Sequence, residues 1–93
     1  RLLWTDEWYD FSDRKADNMH FLVSTDEKSY NPYAKWGDKE TKCMGFHPIS
    51  WYHSHDGGRA FYTALGHIPL TYKDQTFLDH LYGGIWWAAT GKM

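Results

Sequence analysis

The sequence is poor in cysteine, in net charge and in long apolar runs, and each shortage narrows what the protein can be. Its 93 residues include a single cysteine, Cys43, which excludes an internal disulfide framework and a four-cysteine zinc site while leaving the compartment open. The net charge is −2, with both signs interspersed as on an ordinary solvated surface. That balance argues against nucleic acid or an anionic membrane as the main partner. No apolar run approaches the length that spans a bilayer. No leader segment, internal repeat or low-complexity tract is visible, and the chain opens on Arg1 rather than Met, so its natural N-terminus is expected to lie upstream. The length suits one small domain, residues 1–93, with a marginal core. Aromatics, by contrast, are abundant: 19% of residues, with six Trp and seven Tyr. Such a density calls for either a tightly packed core or a ligand-facing aromatic surface.

The chain is organised around the stretch from His47 to His67. Two apolar runs, residues 49–54 and 59–65, flank His55-Asp56-Gly57-Gly58. Asp-Gly and Gly-Gly tolerate positive φ at both centres of a tight turn, so the stretch reads as an antiparallel hairpin. A two-residue turn places Ile49, Trp51 and His53 on one face with Ala60, Tyr62 and Ala64, and Ser50, Tyr52, Phe61, Thr63 and Leu65 on the other. A three-residue loop would swap that parity. Both faces are largely apolar, which predicts helices above and below the sheet.

Elsewhere the signals are coarser. Residues 1–11 mix Trp4, Trp8, Tyr9 and Phe11 with Asp6, Glu7 and Asp10 and read as an ordered loop, and residues 12–18 as a polar surface connection. The apolar run Met19 to Thr25 suits a central strand covered on both faces. Residues 26–45 form a long irregular excursion pinned by Tyr30, Tyr33 and Trp36. After a connection containing Pro69, Asp74 offers a helix N-cap, and Phe77, Leu78, Leu81, Tyr82, Ile85, Trp86 and Ala89 recur as one broad apolar stripe. Gly83-Gly84 within that helix predicts close packing against the sheet, and Gly91 a C-cap. The order of elements fits the end of an α/β domain.

Several segments carry a family likeness. Asp56-Gly57-Gly58-Arg59 with Phe61 to His67 resembles the C-terminal part of ThuA-like (trehalose-utilisation) domains. Thr5 to Tyr9, Thr25 to Tyr30, His47 to Trp51 and Phe77 to Ala88 look like family segments in family order. The likeness covers nearly the whole chain. It departs at Ser54-His55, where the family commonly has an acidic-aromatic pair, and in length, since such domains are usually larger. The resemblance implies the C-terminal part of a flavodoxin-like, class I glutamine amidotransferase-like three-layer sandwich: a central strand, a β-hairpin and a C-terminal helix. The implied partner is the upstream half of the same domain, or a neighbouring domain.

Candidate site residues follow from position and chemistry. His67 stands just past a strand end, where open α/β sheets bind ligands and where an imidazole can act as a general base near neutral pH. His47, held extended by Pro48, matches the family's His-Pro position. Glu7 is a carboxylate among aromatics that can act as general acid or base. These three form the candidate catalytic set. Asp6, Trp51 and Arg59 are the candidate substrate-binding residues, although Arg59 also suits bracing of the hairpin turn against Asp56 or a carbonyl, and Trp51 suits a core. His53 and His55 share a strand face but give an incomplete metal set, so no metal and no cofactor are assigned. Cys43 lies in a Lys-Cys-Met-Gly loop without the sharp strand-to-helix turn of an amidotransferase nucleophile. What the resemblance implies is a sugar or keto-sugar transformation, with a small-molecule sugar as ligand. The alternative is a non-catalytic carbohydrate-binding or interaction module within a larger protein.

Overall fold

A computed structural model describes residues 2–11, 17–33, 35, 36, 39, 40 and 43–93. The expected connection over residues 12–18 lies largely outside these, as does the side chain of Trp36. The strands are β1 (His20–Thr25), β2 (Lys35–Trp36), β3 (Lys39–Glu40), β4 (His47–His55) and β5 (Gly58–Thr63), followed by one helix, α1 (Gln75–Thr90). β2 and β3 form a small ladder of their own. The other three make an antiparallel sheet in the order β1-β4-β5.

The hairpin forms as its turn chemistry dictates. His55 pairs with Gly58 across a two-residue turn. Asp56 and Gly57 both take positive φ, 49° and 78°, the conformation that matches the natural twist of the flanking strands. Trp51 therefore opposes Tyr62, and their rings stack at 4.5 Å. The buried run His47 to Ser50 makes β4 the centre of the sheet.

β1 departs from expectation. It is an edge strand, paired with β4 alone, and its residues alternate between exposed and half-buried. An antiparallel partner with one covered face demands that alternation, whatever the hydropathy of the run. Its ladder slips on both sides of Val23, the second time next to the Ser24–Pro48 pair, where the proline has no N–H to donate.

The two hairpin faces are covered differently, and only one of them by a helix. On the first, Phe11 meets Trp51 and Tyr62 edge-on at 5.1 and 5.9 Å, so the segment preceding β1 supplies the lid. On the second lies α1. Tyr52 packs on Trp87, and Phe61 packs against the bare backbone of Gly84, where a Cβ would come within 2.3 Å of the ring. Gly83 next to it has open space. This contact fixes the rotation of α1 and splits the expected apolar stripe. Phe77 and Gly84 are buried, whereas Tyr82, Ile85 and Trp86 are exposed.

Local caps complete the helix. Asp74 accepts the Phe77 N–H at 2.9 Å, and Gly91, at φ 73°, donates to the Trp87 carbonyl at 2.7 Å. The excursion after β1 is anchored early: a 3-10 turn, Glu27–Ser29, is capped by Asp26, and Tyr30 packs near Trp8. The fold is thus α/β, with a three-stranded antiparallel sheet and one C-terminal helix among the described residues.

Candidate functional site

Along residues 4–10 exposure follows a period of two. Trp4, Asp6 and Trp8 turn inward; Thr5, Glu7 and Tyr9 turn outward. Asp6 is the fastener of this segment. One of its carboxylate oxygens accepts the Gly66 N–H at 2.9 Å and the Trp4 indole N–H at 3.0 Å. The other accepts the N–H groups of His67, at 3.0 Å, and of Glu7, at 2.9 Å. Burial pushes its carboxyl upward, but these donors outweigh it, and the net shift is below the ordinary 3.8. Gly66 permits the clasp. Its φ of +110° is open to glycine, and a Cβ there would lie 2.6 Å from the Tyr72 hydroxyl.

The clasp joins segments sixty residues apart and sets Glu7 beside His67, with Oε2 3.4 Å from Nε2. Both side chains are open to solvent, at 44% and 57%. Glu7 also accepts a hydrogen bond from the Tyr9 hydroxyl. That bond, with the carboxylate's charge, raises the Tyr9 phenol above its ordinary value. Glu7, Tyr9 and His67 thus form one solvent-facing group around a single carboxylate.

His47 sits in a different environment. It is 1% exposed, its Nδ1 lies 2.9 Å from Glu27 Oε2, and its Nε2 lies 2.8 Å from the Tyr9 carbonyl oxygen. Both nitrogens are taken up by protein oxygens, and neither is open to a ligand. Asp10 stands 3.9 Å from Nε2, and the Tyr30 hydroxyl 3.3 Å from Nδ1. Glu27 gathers further donors: the Cys43 thiol at 2.9 Å and the Met44 and Gly45 N–H groups at 2.8 Å each. The Cys43 and Met44 contacts outweigh burial and, with the others, lower the Glu27 carboxyl to about 2. This is where the Lys-Cys-Met-Gly loop is tied down.

Arg59 and Trp51 lie apart from the Glu7–His67 pair. The Arg59 guanidinium donates to the Ala88 and Ala89 carbonyls at 3.1 and 3.2 Å, fastening the hairpin tip to the end of α1. Trp51 is half-buried between Tyr62 and Phe11. His53 and His55 stand at the exposed tip with rings 6.0 Å apart, and among the described residues no group of three metal-type side chains converges.

A cleft of about 670 Å³ opens on the inward side of the N-terminal segment, lined by Trp4, Trp8, Leu65, Phe77 and His80 among others. Neither Glu7 nor His67 lines it; Trp8, next to Glu7, and Leu65, two residues before His67, do. His80 was not expected here from the sequence, nor was Tyr9. The period-two alternation from Trp4 onward pairs Tyr9 with Glu7, and the spacing of His80 from Phe77 and Gly84 puts it on the packed face of α1.

A family model described as ThuA, trehalose utilisation, matches residues 1–88. The chain belongs to that family. No curated protein and no solved structure matches it. The ThuA assignment ties the protein to trehalose utilisation, and the matched span includes both halves of the clasp, Asp6-Glu7 and Gly66-His67.

Proposed function

We propose that this ThuA-family protein transforms trehalose, or a related disaccharide or keto-sugar, with Glu7 and His67 as the acid–base pair. One observation carries the reading: the Asp6 carboxylate grips the backbone on both sides of the Gly66–His67 peptide and so holds two solvent-open titratable side chains within 3.4 Å. An imidazole exchanges protons near neutral pH, and a neighbouring carboxylate orients it and stabilises its charged form. A separation of 3.4 Å is long for a hydrogen bond, in keeping with a pair that tightens when substrate excludes water. In this reading Asp6 positions the pair, His47 holds the N-terminal segment through the Tyr9 carbonyl, and Arg59 braces the hairpin. Trp51, packed between Tyr62 and Phe11, serves the sheet and not the pair.

The reading includes a larger sheet. The apolar side of α1 that carries Tyr82, Ile85 and Trp86, together with the outer edge of β1, unpaired among the described residues, suits packing by further elements of a flavodoxin-like, three-layer sandwich. Those elements belong to the upstream half of the domain or to a neighbouring one.

The test is turnover of trehalose and of its oxidised, keto-bearing forms by the wild type, Glu7→Gln and His67→Gln. Loss of turnover in both variants with the fold intact supports the pair. Equal turnover in all three removes it. Sugar binding without turnover by any of them favours a non-catalytic carbohydrate-binding module.

A further inference from the structure

The cleft beneath residues 2–8 holds a histidine that the Glu7–His67 pair does not use. His80 projects from α1 toward the sheet, with its Nε2 3.1 Å from Ser50 Oγ and 3.1 Å from Thr63 Oγ1. Ser50 is fully buried and spends its only hydroxyl hydrogen on the Tyr62 carbonyl at 2.8 Å. Ser50 Oγ can therefore only accept from His80, which places the imidazole proton on Nε2. Burial lowers the His80 pKa and so favours the neutral ring. In a neutral ring protonated at Nε2, the basic lone pair sits on Nδ1.

Among the described residues no hydrogen bond reaches Nδ1, yet no buried side-chain nitrogen or oxygen lacks a partner. Nδ1 is therefore reached from outside the packed interior, and His80 is one of the residues that line the cleft. The cleft walls are largely apolar, with the indoles of Trp4 and Trp8 beside leucine, valine and isoleucine side chains, and a few polar residues, Ser24, Asp26 and Thr76 among them, lie along the lining. Its volume, about 670 Å³, falls within the range of small-molecule sites. Flat apolar walls with scattered polar groups suit a ring that has apolar faces and hydroxyl edges.

We propose that this cleft binds a polyhydroxylated ring of up to disaccharide size and that His80 Nδ1 accepts a hydroxyl hydrogen from it. The inference shares a ligand class with the proposed function but rests on a different residue and on the opposite side of the N-terminal segment.

The experiment uses the protein with trehalose as probe. Long-range proton–nitrogen spectra of His80 are expected to show Nε2 protonated and Nδ1 bare, and the Nδ1 resonance to move on titration with trehalose. His80→Gln keeps an N–H that can point at Ser50 and Thr63 but has no counterpart of Nδ1. It is expected to fold and to weaken trehalose binding roughly tenfold, the loss of one hydrogen bond. A proton on Nδ1, a stationary Nδ1 resonance at saturating sugar, no trehalose binding, or unchanged affinity in a folded His80→Gln would each overturn the proposal. Should His80→Gln not fold, the wild-type titration decides alone. Affinity lost in Glu7→Gln but retained in His80→Gln would overturn this site and leave the Glu7–His67 reading standing.

Discussion

Two of the carboxylate–imidazole pairs in this small domain, Glu27 with His47 and Glu7 with His67, are built in opposite ways. Glu27 and His47 meet at 2.9 Å with side chains 7% and 1% exposed, and the surrounding N–H, S–H and carbonyl groups occupy every position around them. Glu7 and His67 meet at 3.4 Å in the open, and their geometry is imposed from behind by Asp6 on the backbone. The closed pair has no free valence for chemistry and the open pair has little to give to stability. Burial makes an ion pair structurally demanding, because removing one partner strands the other. Exposure makes it cheap to alter and available to a ligand.

The sharpest way to break the comparison is to delete the closed imidazole. His47→Ala removes the imidazole from a buried Glu27 carboxylate that keeps its Cys43, Met44 and Gly45 donors, leaves the Tyr9 carbonyl without its donor, and is expected to cost about 3–5 kcal/mol. A domain of this size has little more than that in reserve. Urea unfolding of the variant measures it, and a loss below 1 kcal/mol would show that the closed pair is not structural.

Acid should act on the same pair. The Glu27 carboxyl is ordinarily near 4.5 and lies at about 2 in the fold, so the unfolded chain takes up its proton first as pH falls. The stability tied to this shift is fully present above pH 4.5 and is lost as pH drops toward 2. Glu27→Gln is expected to be less stable than wild type at neutral pH and to lose less on acidification. Unfolding curves between pH 2 and 6 test this, and parallel profiles for the two proteins would contradict it.

A smaller effect probes closure by packing rather than by charge. Gly84→Ala drives a methyl into the Phe61 ring and is expected to cost about 1–3 kcal/mol. Gly83→Ala has open space and is expected to stabilise the helix by about 0.5–1 kcal/mol. Thermal melts of both variants would show opposite signs. The same sign in both would mean that α1 does not lie on the sheet through Gly84.

What could be read from the sequence, and what could not, divides along a physical line. The hairpin, its two-residue turn and the caps at Asp74 and Gly91 are set by residues adjacent in the chain, where φ preferences and side-chain reach decide the outcome. The position of β1 at the sheet edge, the rotation of α1 and the covering of one hairpin face by Phe11 depend on contacts between segments distant in sequence. Hydropathy alone could not tell a central strand from an edge strand in Met19 to Thr25. Nor could it rank Gly84 above Gly83, since only the Phe61 ring distinguishes them. The pairing of Glu7 with His67 stayed hidden for the same reason, because it is made by Asp6 reaching across sixty residues. The difference between His47 and His67 was equally invisible: each is a histidine at one end of the hairpin stretch, and only the third dimension surrounds one and leaves the other open.

The least costly change should be the most informative about the open pair. His67→Gln removes a half-exposed ring whose one side-chain partner among the described contacts is Glu7 at 3.4 Å. Exposed pairs contribute at most about 1 kcal/mol, and the Asp6 clasp uses only the His67 backbone N–H, which glutamine retains. The variant is therefore expected to unfold within about 0.5 kcal/mol of wild type. Its Asp6 hydrogen bonds should be unchanged, as read by the exchange rates of the Gly66 and residue 67 amides. A loss of 2 kcal/mol or more would mean that His67 is a packing residue, and the contrast with His47 would collapse. Preserved stability with altered handling of sugar would locate the chemistry in the open pair that Asp6 holds in place.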